Sequence, residues 1–277
     1  MKIIHGKRFG EERALYGSVD VKLSECSFSG AEDGESALKE ARNLVLEKCR
    51  FDLRYPLWHT HGASLFQCEM SEGCRAPLWY SSDISLVDTR LYGTKAIREC
   101  RGVRLDSCHA VSEEFAWFLQ DVHIKNSHVE GAYFMLKCED VVLSGVELFG
   151  KYSLQYVKNG TIENCVLDTK DSLWHAKGIT VRDSVLKGEY LAWYSEDLTL
   201  INCEIYGTQP FCYCKNLHLV DCRMHECDLS FEKSEVVANL LSPIVSIKNP
   251  ASGRITVPSA GEIIMDDPEA QGEIVFG

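Results

Sequence analysis

Short runs in which apolar and polar residues alternate recur along most of the chain. Four clear copies cover residues 44–51, 103–110, 198–205 and 217–224, and each follows the pattern apolar-x-apolar-x-polar-Cys-x-apolar. Strict alternation indicates strands with one buried face. The cysteine position recurs at Cys26, Cys49, Cys68, Thr89, Cys108, Ser127, Val146, Cys165, Ser184, Cys203 and Cys222. From Cys108 onward every step is 19 residues, which predicts strands stacked as successive coils of a solenoid.

Three columns of bend-forming residues accompany the strands at the same spacing. One column, directly before the cysteine position, contains Asp88, Ser107, Asn126, Gly145, Asn164, Asp183, Asn202 and Asp221. A second contains Gly93, Gly131, Gly150, Gly188 and Gly207, and a third contains Gly62, Asp83, Gly102, Asp121, Asp140, Asn159, Gly178, Asp197 and Asn216. Gly, Asn and Asp tolerate the left-handed backbone of a sharp bend. Three bends in each coil predict a three-sided prism.

These columns together predict the fold class. We expect an all-β protein, a right-handed single-stranded parallel β-helix of about 11–12 coils of 19 residues. A left-handed β-helix of hexapeptides is the alternative, but nothing in this chain repeats at six residues. In other coils Thr, Ser or Val replaces the cysteine of the repeat. We therefore interpret these cysteines as small inward-facing packing residues rather than as catalytic or metal-binding residues.

The pattern changes towards both ends of the chain. Residues 1–20 precede the first clear copy and are predicted to form an N-terminal cap, followed by coils over residues 21–243. Four extra residues lie around Gly30 to Gly34. Residues 236–241 resemble a worn further copy, and residues 244–277 contain short alternating runs separated by Gly and Pro, which predict a C-terminal cap of β-hairpins. The whole chain, residues 1–277, is therefore predicted to be a single domain.

Composition narrows the classes of partner. The formal net charge is −12 and no block of Lys or Arg is present, so we expect neither a nucleic-acid partner nor a membrane partner. No apolar run approaches the ~20 residues that span a bilayer, and the N-terminal residues lack the apolar stretch of a signal peptide. We therefore expect a cytoplasmic location, where the 13 cysteines would remain reduced.

The third segment of each coil, predicted to be a strand, is rich in aromatic residues. One column holds all five tryptophans, together with Lys39, Arg98, Leu136, Gln155 and Cys212, and the next holds Glu40, His59, Tyr80, Glu99, Phe118, Lys137, Tyr156, His175, Tyr194 and Tyr213. The tryptophan column could face inward and fill the core. It could also face outward and bind a ligand, which requires a bend near each tryptophan because the neighbouring columns face inward. The charge of Arg98 in this column favours the outward orientation.

The outward orientation would make this face a candidate binding surface. The candidate ligand-binding residues are Trp58, Trp79, Trp117, Trp174, Trp193, Tyr156, Tyr194 and Tyr213. Exposed aromatic rows of this kind bind sugars through the ring faces or become buried against another protein.

Several segments resemble an uncharacterised microbial family, catalogued as a domain of unknown function, within the pectin-lyase-like superfamily of right-handed β-helices. The resemblance rests on residues 12–15, 34–40, 55–58, 188–193, 197–203, 207–213 and 246–250. It implies the fold but no established activity. Members of the wider superfamily cleave or isomerise acidic polysaccharides, which is an analogy at the level of the fold.

The enzyme hypothesis depends on one group of residues on the aromatic face. Asp171 and Glu189 fall on adjacent coils at a separation suited to paired carboxylates, and His175 lies nearby, so these three are the candidate catalytic residues. His59 and His61 share one side of a strand but have no obvious third ligand, so we predict no metal site and no cofactor.

Three functions therefore remain open. The leading hypothesis is a non-catalytic binding or scaffold protein whose aromatic face holds a carbohydrate or a protein partner. The alternatives are a polysaccharide-active hydrolase or lyase, and homo-oligomerisation through the tryptophan column.

Overall fold

The chain folds as a parallel β-solenoid of about 14 coils of about 19 residues. The computed structural model describes residues 1–30 and 36–277, so most of the predicted insertion after Gly30 lies outside the described residues. No helix occurs in the described part of the chain, and none of these residues therefore forms an apolar helix that could cross a membrane. The chain divides into two compact units, unit 1 (Met1–Glu139) and unit 2 (Asp140–Gly277).

Unit 1 consists of short strands that pair in parallel from one coil to the next. They are β1 (Lys2–His5), β2 (Arg8–Phe9), β3 (Val19–Ser24), β4 (Ser27–Ser29), β5 (Arg42–Glu47), β6 (Arg50–Asp52), β7 (His61–Phe66), β8 (Glu69–Met70), β9 (Leu78–Trp79), β10 (Ser82–Val87), β11 (Arg90–Leu91), β12 (Ile97–Arg98), β13 (Arg101–Asp106), β14 (His109–Val111), β15 (Glu114–Phe115), β16 (Gln120–Lys125) and β17 (His128–Phe134).

Unit 2 has the same arrangement of strands. Its first strand, β18, begins at Glu139, which is the last residue of unit 1. Its strands are β18 (Glu139–Ser144), β19 (Glu147–Ser153), β20 (Lys158–Glu163), β21 (Val166–Thr169), β22 (Lys177–Arg182), β23 (Val185–Lys187), β24 (Glu196–Ile201), β25 (Glu204–Tyr206), β26 (Lys215–His225), β27 (Glu235–Leu240), β28 (Ile244–Lys248), β29 (Ser252–Val257), β30 (Ala260–Ile264) and β31 (Glu273–Phe276).

A coil consists of a six-residue strand, a shorter strand and a segment of turns. In unit 2, Lys158 pairs with Lys177, Lys177 with Glu196, and Glu196 with Lys215, so the predicted period of 19 residues is confirmed by the strand register. The third segment was predicted to be a strand in every coil. It forms strands at β9, β12 and β15 and at the ends of β17 and β19, where Glu114 pairs with Tyr133 and Phe115 with Phe134. In the coils of Trp174 and Trp193 it turns instead, because left-handed residues interrupt its backbone.

Two of the three predicted bend columns are confirmed by the backbone, whereas Gly131 and Gly150 of the glycine column lie inside β17 and β19. Every member of the column before the cysteine position, from Asp88 to Asp221, has a φ between 45° and 64°. Their side chains form amide–carboxylate bridges between coils, as when Asn202 Nδ2 donates to Asp183 Oδ1 at 2.6 Å. The third bend column is left-handed as well. In the glycine column, Gly93 has no positive φ, but a Cβ there would overlap the carbonyl of Cys74, so close approach of the backbones explains that glycine.

The core is a set of stacked columns inside the coils. All thirteen cysteines are buried and unpaired, which supports their interpretation as packing residues. Thr89, Ser127 and Ser184 take the same place in other coils and are buried too. Phenylalanines add a stack in unit 1, where the ring of Phe28 lies 4.7 Å from Phe9 and 4.9 Å from Phe51.

Both predicted caps are wrong, because the coils continue to the ends. Residues 1–20 form a further coil, in which β1 pairs in parallel with β3 and β2 with β4. The exposed Lys7 occupies the cysteine position of this coil and hides the repeat. Residues 244–277 form no hairpins, since β28 pairs in parallel with β30 and β29 pairs in parallel with both β27 and β31. Strand alternation is the same in parallel and antiparallel pairs, so it could not separate the two arrangements.

Candidate functional site

The backbone around each tryptophan turns the indole out of the core. Leu173 and His175 both have left-handed backbones, with φ values of 61° and 54°, on either side of Trp174. The left-handed backbone on each side of Trp174 changes the direction of the chain twice. Leu173 therefore points inward and is fully buried, while Trp174 remains half-buried at the surface. All five tryptophans are half-buried, so the outward orientation and the bend that it requires are confirmed.

In unit 1 the tryptophan column is a ladder of indoles and cations. Trp58 and Trp79 are stacked with ring centroids 6.0 Å apart, and Lys39 Nζ lies 4.1 Å from the Trp58 ring. The guanidinium of Arg98 lies 5.7 Å from the Trp79 ring and 5.2 Å from the Trp117 ring. Cations over ring faces are attracted by the negative potential of the ring. The ladder therefore uses most of its ring faces within the molecule.

Carboxylates complete the surroundings of Arg98. Its Nη1 lies 3.2 Å from Glu114 Oε2 and its Nε lies 3.4 Å from Glu99 Oε1. Trp79 Nε1 donates to the same Glu99 carboxylate at 3.3 Å. Arg98 is thus neutralised by neighbours on the surface of unit 1, which explains how a charged residue can share a column with tryptophans.

In unit 2 the tryptophans act as braces between coils. Trp174 and Trp193 stack at 5.6 Å with an angle of 6° between their planes. Trp174 Nε1 donates to the carbonyl of Tyr190 at 2.6 Å, and Trp193 Nε1 donates to the carbonyl of Gln209 at 2.7 Å. Each indole uses a ring face and its N–H group for contacts with an adjacent coil. These two candidate ligand-binding residues therefore have a structural role.

A second row of aromatic residues lies at the surface of unit 2, and we call it the outer ring stack. It consists of Tyr156, His175, Tyr194 and Tyr213, whose successive centroids are 4.7, 5.0 and 4.8 Å apart with planes within 10° of parallel. Tyr156 is 43% exposed and Tyr194 is 46% exposed. Desolvation and the charge of nearby Glu232 raise the pKa of Tyr213, so its phenol remains protonated at neutral pH.

The outer ring stack presents ring edges rather than ring faces. Each internal ring is covered on both faces by its neighbours at about the spacing of adjacent strands. Only the edges and the polar atoms of the rings can reach a partner. The predicted platform of open ring faces is therefore absent from this row of described residues.

The three candidate catalytic residues do not form a hydrogen-bonded group. Among the described residues, no hydrogen bond or ion pair joins the side chains of Asp171, His175 and Glu189, and the His175 ring is held between Tyr156 and Tyr194. Asp171 is only 8% exposed, whereas Glu189 is exposed. Burial raises the pKa of Asp171, and the negative charge of Glu189 adds to the rise while Lys170 opposes it.

His59 and His61, which the sequence places on one side of a strand, do not share a binding partner. His59 Nδ1 lies 3.4 Å from Glu40 and His61 Nδ1 lies 3.0 Å from Ser82 Oγ, so the two have separate partners. Among the described residues, His109, His128 and Glu130 bring three potential ligand atoms within 4.8 Å of one another. This group was not predicted from the sequence, although the 19-residue spacing of the two histidines is a signal that could have revealed it.

Comparison with known families places the chain. A family described as "Protein of unknown function (DUF3737)" matches residues 2–275. The chain belongs to this family. No curated protein matches the chain. The predicted membership of an uncharacterised β-helix family is confirmed, and the family brings no activity with it.

Solved structures with a similar course of the chain include large surface and phage proteins. PfbA, a surface adhesin of Streptococcus pneumoniae, matches 87% of this chain at 10% identity with a TM-score of 0.37. The tailspike protein 3 of bacteriophage CBA120 matches 99% at 10% identity with a TM-score of 0.39. A tailspike mutant of Escherichia coli bacteriophage HK620, in complex with a hexasaccharide, matches 92% at 11% identity with a TM-score of 0.39.

This chain matches only part of each of these three structures. The chain covers 69% of the adhesin, 56% of the first tailspike and 66% of the second. Likenesses of this size carry no argument about function. The function of this chain therefore has to be inferred from its own surface.

Proposed function

We propose that this protein is a non-catalytic binding protein whose outer ring stack contacts another protein chain. The observation that carries the proposal is the alignment of Tyr156, His175, Tyr194 and Tyr213 on four successive coils, with their edges at the surface. The stacked columns of the core lie inside the coils, so the core does not require rings at these positions. Tyr is enriched at protein interfaces because one side chain offers apolar area and a hydrogen-bonding hydroxyl.

A protein partner fits this stack better than a carbohydrate. A sugar packs its C–H groups on an open ring face, where the potential of the ring is negative. In the outer ring stack the faces are covered by neighbouring rings at 4.7–5.0 Å. The ring edges remain, together with the hydroxyls of Tyr194 and Tyr213, and these match backbone carbonyls and side chains of a second chain.

Charged residues border the stack and form a polar rim. Lys177 follows His175 by two residues, and its Nζ lies 3.0 Å from Glu196, which follows Tyr194 by two residues. Lys215 lies at the equivalent place after Tyr213 and is exposed. An apolar strip with a charged, solvent-exposed rim is the usual anatomy of a transient protein interface.

Site-specific photo-crosslinking tests the proposal. A benzophenone amino acid replaces Tyr194 in one version of the full chain and Val237, which is 51% exposed on a strand face, in a matched control. After irradiation in the cells that make the protein, we expect one discrete protein adduct from position 194 and none from position 237. An adduct of twice the mass of the chain identifies a second copy as the partner. Tyr156→Ala together with Tyr213→Ala is expected to abolish the adduct.

A glycan array with the purified chain provides the opposing outcome. Binding that is lost in Tyr194→Ala and retained in Val237→Ala would assign the stack to carbohydrate and overturn the protein assignment. The absence of both the adduct and glycan binding would remove the binding function from this row. Circular dichroism of each variant separates loss of contact from loss of fold.

A second candidate is polysaccharide cleavage at Asp171 and Glu189. The observation that favours it is the raised pKa of the buried Asp171 beside an exposed Glu189, since unequal carboxyl environments separate an acid from a base. Incubation with acidic and neutral polysaccharides, followed by assays for reducing ends and unsaturated products, tests it. Products that disappear in both Asp171→Asn and Glu189→Gln would support cleavage, and no product from wild type would exclude it for those substrates.

A further inference from the structure

We propose that unit 1 carries a binding site for a divalent transition-metal ion, with Zn²⁺ as the reference ion, formed by His109, His128 and Glu130. This site lies on the row of short strands, in a different unit from the outer ring stack. It goes beyond the proposed binding function and contradicts the sequence-based expectation of no metal. The inference rests on strand register, ligand geometry and one buried nitrogen.

Register brings the three side chains to the same patch of surface. β14 and β17 pair so that His109 lies opposite His128 and Val111 lies opposite Glu130. Side chains two residues apart on a strand share a side, so His128 and Glu130 project together. Ala110, which follows His109, and Val129, which follows His128, are both buried in the core. Neither histidine can therefore turn inward, and both imidazoles remain at the surface of the coil.

The distances are close to those of a metal site. The imidazoles of His109 and His128 stack in parallel planes with centroids 5.1 Å apart, and His128 Nε2 lies 2.9 Å from Glu130 Oε1. The three potential ligand atoms lie within 4.8 Å of one another. Tetrahedral zinc with bonds of about 2.0–2.1 Å places ligand atoms roughly 3.4 Å apart. The His128–Glu130 pair is at hydrogen-bond distance, so an ion would replace that hydrogen bond and widen the pair by about 0.5 Å, and a rotation of His109 about its side-chain bonds would bring in the third ligand.

A buried nitrogen on His109 is the second observation. His109 Nδ1 is inaccessible to solvent and has no hydrogen-bond partner among the described residues, although the ring stacks on His128 and meets Tyr92 edge to face. A buried polar atom without a partner is costly. Coordination of an ion by Nδ1 would give this nitrogen the partner that it lacks.

The ligand set selects the class of ion. Two imidazoles and one carboxylate suit Zn²⁺ and the neighbouring divalent transition metals, whereas Ca²⁺ and Mg²⁺ prefer shells made of oxygen atoms. Glu130 is exposed, so at least one coordination position would face solvent. Arg90 pairs in register with His109, and its positive charge opposes the binding of a cation. Arg90, Tyr92 and His109 line a groove of about 470 Å³, so the groove borders the site at His109.

Calorimetric titration of Zn²⁺ into the tag-free full chain tests the site. We expect one equivalent to bind more tightly than about 0.1 mM, as three protein ligands require. His109→Gln and His128→Gln should each weaken binding by at least about 100-fold, since even outer-shell partners of metal ligands contribute about 10–100-fold. Glu130→Gln should weaken it less than either histidine variant. Arg90→Gln should tighten it at least about twofold, because a repelling charge is removed.

The control is His123→Gln, which alters a histidine that pairs with Asp121 at 3.6 Å without a second histidine within reach of the ion. We expect its affinity to match wild type within twofold. Co²⁺ spectra report the ligand type, and nitrogen–oxygen ligation gives no thiolate charge-transfer band. Binding weaker than about 0.1 mM, equal loss in His123→Gln, no loss in the His109 and His128 variants, or a thiolate band would each overturn the proposal.

Discussion

Replacing Gly188 by alanine tests whether the spacing of stacked backbones limits which residue each bend can hold. Gly188 follows β23 and has a φ of +136°, a conformation that essentially only glycine adopts. A Cβ at this position would lie 2.6 Å from the carbonyl carbon of Thr169 and 2.8 Å from the amide nitrogen of Lys170, both on the preceding coil. Two carbon atoms pack at ~3.5–4.0 Å, so the methyl group lacks roughly 1 Å of room.

The expected loss of stability follows from these two effects. The atoms that the methyl group would meet are backbone atoms, and the coils are fixed by hydrogen bonds such as Gly188 N to the carbonyl of Tyr206 at 3.0 Å. Unfavourable backbone conformation costs about 1–3 kcal/mol. Overpacking adds about 1–3 kcal/mol. We therefore expect Gly188→Ala to reduce the free energy of unfolding by about 4 kcal/mol.

Gly178→Asn is the matched control in the same unit. Gly178 is also left-handed, with a φ of +68°, but its column elsewhere holds Asn159, Asp197 and Asn216 in the same conformation. Its expected change is within about 1 kcal/mol. Equilibrium urea unfolding, followed by tryptophan fluorescence, gives both differences from the midpoints. A loss below about 1 kcal/mol in Gly188→Ala, or equal losses in both variants, would refute the reasoning.

Three further predictions concern the core and the buried carboxyl. Phe28→Ala should cost about 3–5 kcal/mol in urea unfolding, whereas Phe66→Ala, at a side chain that is 45% exposed, should cost far less. A thiol reagent should find almost no reactive cysteine until the chain unfolds, because all thirteen are buried and burial raises the pKa of Cys100 to about 12; one fast-reacting thiol would contradict this. Asp171→Asn should raise the melting temperature at pH 7. The native carboxyl holds its proton more tightly than the unfolded chain does, so wild-type stability falls as pH rises between the unfolded and folded pKa values of Asp171. The advantage of the variant should disappear near pH 3, below both values, and an advantage that persists there would contradict the assignment.

Particular columns show how much of the fold was predictable from sequence. The Asn and Asp positions such as Asn202 and Asp183 were predicted to lie at a bend, and their backbones are left-handed with φ values of 50° and 48°. The inward column of cysteines was predicted from its exchange with Thr, Ser and Val. The ends were predicted wrongly, because the first coil carries Lys7, between β1 and β2, where other coils carry a small residue, and because β28–β31 alternate as hairpin strands also would.

The candidate site was predictable only in part. Sequence alone placed Trp174 and Tyr194 in neighbouring columns and required a bend between the inward and outward residues, which the left-handed backbones of Leu173 and His175 provide. It could not show that Trp174 Nε1 binds the carbonyl of Tyr190, or that the ring faces of the outer stack cover one another. Those features depend on rotamers chosen against residues about 19 positions away.

The sequence by itself determined the period, the bend columns and the inward face of this protein, because each is a local preference repeated in every coil. The tertiary structure alone decided which strands pair, which aromatic rings expose an edge rather than a face, and which histidines meet. Pairing and ring contacts arise between coils, and a pattern read along one coil contains no information on how the next coil approaches it. The proposed metal site shows this most clearly, since His109 and His128 become neighbours only when β14 and β17 are in register.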